Sequence, residues 1–176
     1  MILSDSKDVY FQKNPLEAIH QDPFLFLFSE GFQHRQSEWN INDQIKAQVR
    51  LRDFSKNCLD WPVVNSGFII GTFQEVKQLA FLIWSCTLMN GGNCTDQAIL
   101  NYLVQYLKDD PVYKIHEPTN NLLVATGEAV SQKLMQPDPY FQEGKLYCSL
   151  VNKPYFVFHQ WDRTIYKNDI LRLFYE

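Results

Sequence analysis

The run Val63-Val64-Asn65-Ser66-Gly67-Phe68-Ile69-Ile70-Gly71-Thr72 constrains the fold more than any other stretch of this chain. It is β-prone and nearly apolar, without the alternation of a half-solvated strand, so it reads as a strand buried on both faces. Residues 73–89 then place Phe73, Val76, Ala80, Ile83 and Trp84 on one helical face, and Gly91-Gly92 stops the pattern. A doubly buried strand feeding a helix belongs to an open α/β sheet.

The rest of the chain agrees. Residues 24–28 (Phe-Leu-Phe-Leu-Phe) have the length and composition of a buried strand, and residues 29–40 are polar and loop-like. Residues 42–56 are rich in helix formers, with Ala47, Leu51 and Phe54 at helical spacing and Ile45 and Val49 beside them. Thr95 is a good N-cap for a helix carrying Ile99, Tyr102, Leu103, Tyr106 and Leu107, which Asp109-Asp110-Pro111 breaks. Short apolar runs at 122–125, 146–151 and 155–158 read as strands separated by turns. The expectation is a mixed α/β sheet flanked by helices, in one domain spanning residues 1–176.

Composition excludes several classes of function. With 45% hydrophobic and 20% charged residues the chain is not a disordered polymer. Its net charge is −4 and its densest basic cluster is Arg50-Leu51-Arg52, so no electrostatic footprint for nucleic acid is present. No apolar run approaches the roughly 18 to 20 residues that span a bilayer. Cys58, Cys86, Cys94 and Cys148 lack zinc-site spacing and suit either buried thiols or disulfides, and Asn93-Cys94-Thr95 is formally a glycosylation acceptor. The compartment, secretory or cytoplasmic, stays open. Met1-Ile2-Leu3 reads as a strand rather than a leader peptide.

That strand runs into Ser4-Asp5-Ser6-Lys7-Asp8-Val9-Tyr10-Phe11-Gln12, followed by Asn14-Pro15. Two carboxylates three positions apart at a strand end can converge on one hard cation such as Mg²⁺ or Mn²⁺; the bland alternative is a solvated Asx turn. Three further segments occur in a suggestive order: Val63 to Gly71 around Asn65-Ser66-Gly67, Thr95-Asp96-Gln97-Ala98-Ile99-Leu100-Asn101, and Pro154-Tyr155-Phe156-Val157-Phe158-His159-Gln160-Trp161-Asp162-Arg163. Together these resemble glycosyltransferases of the GT-A fold, the nucleotide-diphospho-sugar transferase superfamily, in their Asp-x-x-Asp metal motif, Asn-x-Gly strand, Asp-Gln helix start and late metal-binding His.

The resemblance implies that Asp5, Asp8 and His159 ligate Mn²⁺ (or Mg²⁺). It implies catalytic or sugar-facing roles for Asp96 and Gln97, and substrate contacts from Asn65, Ser66, Gly67, Lys7 and Arg163. Against each stands a plainer reading: Asp96 as a helix cap, Asn65 as a partner for buried backbone, Lys7 and Arg163 as surface cations, His159 as a core histidine. The implied donor is a nucleotide sugar, UDP-linked above all, and the acceptor a glycan, protein or lipid. A GT-A domain sets its metal motif after a nucleotide-binding half, so the resemblance also implies a partial, N-terminally truncated domain. The competing expectation is a non-catalytic remnant serving a structural or interaction role. A haloacid-dehalogenase-type phosphohydrolase fits poorly, since Lys7 stands where its second Asp is required.

Overall fold

The structure is a computed structural model that describes residues 1–18, 25–42, 59–92, 94–107, 109–117, 122–135 and 138–175. Strands β1 (Ile2–Ser4), β2 (Val9–Phe11), β3 (Leu25–Gln33) and β4 (Pro62–Ile70) precede helices α1 (Phe73–Met89) and α2 (Asp96–Leu107). Then follow β5 (Tyr113–His116), β6 (Val124–Thr126), the short helix α3 (Gly127–Ser131), β7 (Tyr140–Gln142), β8 (Lys145–Cys148), β9 (Lys153–Pro154), β10 (Val157–His159) and helix α4 (Lys167–Tyr175). The class is mixed α/β, as expected, but these strands form three sheets instead of one: β1-β4-β3-β5, β2-β10-β6 and β7-β8-β9. The first two each combine parallel and antiparallel pairs.

The first sheet is buried on both faces, for the reason its central strand suggested. On one side Leu25, Leu27, Val64 and Ile69 pack against Val76 and Leu79 of α1 and Leu100 and Val104 of α2. On the other, Phe26, Phe28, Phe68 and Ile70 meet Val124 and Val157 of the second sheet and Leu123 just before β6. Successive residues of a strand point to opposite faces, so Phe68, Ile69 and Ile70 alternate between the two cores. Each such side chain contributes about 1.5–3 kcal/mol on burial. This packing fixes the angle at which the two sheets meet, and the candidate site lies along that seam.

Several expectations are corrected. Strand β3 does not end at Phe28; Ser29 and Glu30 continue it as buried residues, and the pairing with β4 shifts register around Gly31, whose φ is +82°. The polar composition of residues 29–33 suggested a loop because their partners, internal to the protein, leave no trace in local sequence. Helix α1 turns Val76 and Leu79 inward, while Phe73 and Trp84 stand more than half exposed. Helix α2 buries Ile99 as expected and packs Leu103 and Leu107 partly against the core, but it also buries Gln97, Leu100, Asn101 and Val104 and leaves Tyr106 outside. Its orientation follows Asn101, whose side chain accepts from Val64 N–H at 2.7 Å and donates to Val64 C=O at 2.8 Å. That clamp adds a polar contact to the apolar one. The anticipated helix at 42–56, His20, Cys58 and Asn93 lie outside the described residues, apart from Asn42 itself.

Candidate functional site

The segment linking β1 to β2 crosses from the first sheet to the second. Ser4 is the last β1 residue in register with β4, opposite Phe68, and Asp5 extends the contact by donating its N–H to Gly67 C=O at 2.9 Å. Three residues later the chain has changed sheets: Val9 pairs with His159 of β10, and Gln160 N–H donates to Asp8 C=O at 2.7 Å. Asp5 thus closes one sheet, Asp8 opens the other, and His159 ends the strand beside Asp8. Their side chains meet at the seam.

His159 Nε2 lies 3.2 Å from Asp5 Oδ2 and 3.5 Å from Asp8 Oδ1, and all three donor atoms fall within 4.8 Å of one another. The histidine side chain is 3% exposed, Asp8 17% and Asp5 52%, so the cluster is anchored in protein and open on the Asp5 side. Burial alone would push the His159 pKa down, but hydrogen bonds and charge from the two carboxylates reverse this and raise it. Asp8 is held below the usual carboxylate range by its hydrogen bond to His159, against the opposing effect of burial, with help from the charges of His159 and Arg163.

Two features test whether these residues suit a cation. Ligands on one ion with bonds of about 2.0 to 2.6 Å lie no more than roughly 4 to 5 Å apart, so a mutual separation within 4.8 Å is compatible with a shared ion. Two carboxylate oxygens and one imidazole make a donor set for Mn²⁺ and tolerable for Mg²⁺. Gly67 supplies the second feature. A Cβ there would sit 2.3 Å from His159 Cε1 and Nε2 and 2.5 Å from Asp5 Oδ2, so any larger residue would fill the space where these donors converge. The residues fit the ion. His159 Nδ1 has no hydrogen-bond partner among the described residues.

Behind the triad opens a cavity of about 200 Å³ whose lining includes Asp5, His159, Asn65, Ser66, Gly67, Asp96, Gln97 and Arg163. Asp8 and Lys7 face an adjoining recess that shares Asp5. Asn65, 2% exposed, donates from Nδ2 to Glu30 Oε1 at 2.6 Å, and its Oδ1 accepts from Gly67 N–H at 2.8 Å. It satisfies buried backbone and lines the cavity at once. Gln97 accepts from Ser66 N–H at 2.7 Å and donates to Glu30 at 3.4 Å. Thr95 caps α2 through Ala98 N–H, as its sequence position suggested, while Asp96 accepts from Gln97 N–H at 2.8 Å and borders the cavity. Arg163 and Lys7 form no ion pair with any described residue.

The cavity also contains residues that sequence reasoning missed. Glu30 lay in a stretch read as loop; the motif Asn65-Ser66-Gly67 was the one available hint, since a buried amide needs a partner. Trp39, also in that stretch, is the exposed aromatic at the cavity, whereas Trp161 is half-buried against a separate core cluster, near the exposed Phe174 of α4. Gln160 directly follows His159 with φ +58° and accepts from Glu128 N–H through Oε1 at 3.2 Å. Gly127 permits that turn, because a Cβ there would collide with Gln160 C=O. His34 and His116 are packed elsewhere, the latter stacked on Phe28.

Comparison with known proteins finds no matching family model, curated protein or solved structure. Among the described residues no helix is long and apolar enough to cross a membrane.

Proposed function

We propose that this chain carries the site of a metal-dependent glycosyltransferase of GT-A type, transferring a sugar from a nucleotide-sugar donor to a hydroxyl-bearing acceptor. The observation that supports it most is the convergence of Asp5, Asp8 and His159, drawn from opposite ends of the chain, at the edge of a cavity walled by hydrogen-bonding side chains.

In this reading Asp5, Asp8 and His159 would hold Mn²⁺ or Mg²⁺, which when bound supplies Lewis-acid stabilisation of the departing diphosphate. The chain's own cations complement it. Arg163 at the cavity and Lys7 at the recess, neither in a salt bridge with a described carboxylate, would offer positive charge to phosphate oxygens from two sides. Asn65, Ser66 and Gln97 border the space next to the triad, where the sugar of a diphosphate-bound donor would lie. Gly67 lets backbone approach the ligand closely. Asp96 lines the cavity from the first turn of α2 and in this reading would orient an acceptor hydroxyl or the sugar. UDP-sugars are the leading donors; the acceptor is a glycan, a protein or a lipid.

The test is calorimetric titration of the chain with MnCl₂, then with UDP-glucose, UDP-galactose and GDP-mannose in the presence and absence of Mn²⁺, alongside Asp8→Asn. One Mn²⁺ site that is lost in the variant, and donor binding that requires Mn²⁺, are expected. Absence of Mn²⁺ binding, or donor binding unaffected by chelation, would overturn the proposal.

A further inference from the structure

Glu30 is an ionisable residue in a place where ionisable residues are rarely found. It sits on β3 at 2% exposure, in the wall of the cavity, and no cation of any described residue pairs with it. Burial accordingly pushes its carboxyl pKa up, opposed by the hydrogen bond from Asn65. Unpaired buried carboxyls are costly to keep. A structural role does not require one here: its two hydrogen bonds with described residues, from Asn65 Nδ2 and Gln97 Nε2, converge on the single oxygen Oε1. A glutamine could accept the same two bonds. Oε2 has no partner among the described residues.

The two amides are equally committed. Asn65 Oδ1 is occupied by Gly67 N–H and Gln97 Oε1 by Ser66 N–H, so each amide is fixed in rotation at both ends. The outcome is a rigid cluster on β3, β4 and α2, beside the metal-site candidates, with one carboxyl oxygen left over. A rigid acceptor in a small, polar, partly enclosed cavity suits a polyhydroxylated ring, since a hydroxyl can donate to it without displacing any protein bond.

We propose that Glu30 is the specificity-determining residue for the transferred sugar, its free carboxyl oxygen accepting a hydrogen bond from one hydroxyl of the hexose ring. This rests on the nucleotide-sugar reading above. Asn65 and Gln97 position the carboxyl, and through them a substitution at Glu30 reaches the backbone of Ser66 and Gly67.

The experiment compares the full chain with Glu30→Gln by saturation-transfer NMR in Mg²⁺, using UDP, GDP, UDP-glucose, UDP-galactose and GDP-mannose as probes, with Mn²⁺ affinity and thermal unfolding measured in parallel. Glutamine keeps the acceptor for Asn65 and Gln97 and replaces the free oxygen with a donor. Unchanged melting, Mn²⁺ affinity and UDP or GDP binding are expected, with the preferred nucleotide sugar weakened about ten- to a hundredfold and its hexose protons losing saturation. Donor affinity within twofold of the parent would overturn the inference while leaving the donor reading intact. Failure of every donor to bind the parent would overturn both, and the Mn²⁺ titration shows whether the metal site survives that failure. If Glu30→Gln does not fold, the parent is measured against deoxyhexose forms of the donor. Loss of about tenfold at one ring position supports the contact, and uniform affinity across the set refutes it.

Discussion

Gly67→Ala places one methyl group at the point where the site converges, and its consequences can be worked from distances. The new Cβ would lie 2.3 Å from two atoms of the His159 ring and 2.5 Å from Asp5 Oδ2. Ordinary contact is about 3.5 Å, so the ring must retreat by roughly 1 Å or the strand must bend. His159 is 2% exposed, and its strand is paired on both sides, with β2 and with β6, so retreat means overpacking. Asp5 is half exposed and gives way more easily. Overpacking costs about 1–3 kcal/mol, and alanine recovers about 0.4–1 kcal/mol by stiffening the unfolded chain. The net is a loss of up to about 2.6 kcal/mol, which lowers the melting temperature by up to about 10 °C in a chain of this length. Metal affinity suffers more, because coordination tolerates displacements of only about 0.2 Å. Mn²⁺ binding, followed by the electron paramagnetic resonance signal of free Mn²⁺, should weaken at least 10- to 100-fold, as when a ligand loses its support. Parent-like Mn²⁺ affinity in Gly67→Ala would show that Asp5 and His159 do not share an ion.

The other predictions concern the supports of the site. Saturating Mn²⁺ at about a hundred times its dissociation constant should stabilise the parent by about 2.7 kcal/mol, and Asp8→Asn should abolish the shift in differential scanning calorimetry; an equal shift in the variant would place the ion elsewhere. Asn101→Ala strips hydrogen bonds from Val64 N–H, Val64 C=O and Gln97 C=O at a position 1% exposed, and should cost about 2–4 kcal/mol by urea unfolding; a loss under about 1 kcal/mol would discount the clamp. Burial pushes His34 from 6.5 down to about 4, against a smaller opposing pull from Asn101. Its folded form resists protonation, so stability is complete above pH 6.5 and falls as pH drops from there towards 4. The parent should therefore lose about 1–2 kcal/mol relative to His34→Gln between pH 7 and pH 5; a pH-independent difference would refute this.

Much of the scaffold was legible in the sequence because it depends on local pattern. The doubly buried strand around Phe68 to Ile70, the helix after it, the Gly91-Gly92 stop and the Thr95 cap each rest on residues within a turn or two of one another, and each appears in the structure. Asp5 and Asp8 were recognisable for the same reason, being three positions apart at a strand end. Other features needed the folded chain. That His159 reaches Asp5 across 154 positions follows from the pairing of β2 with β10, which no local pattern encodes. Glu30 looked like part of a solvated loop because the amides that admit it to the interior come from residues 35 and 67 positions away. Helix α2 buries Ile99 as its apolar stripe suggested, but it also buries Gln97 and Asn101, because Asn101 hydrogen-bonds both backbone groups of Val64 and such directional bonds are not encoded in apolar periodicity. Short-range periodicity determined which elements form; long-range strand pairing and directional polar bonds decided which side chains share the cavity.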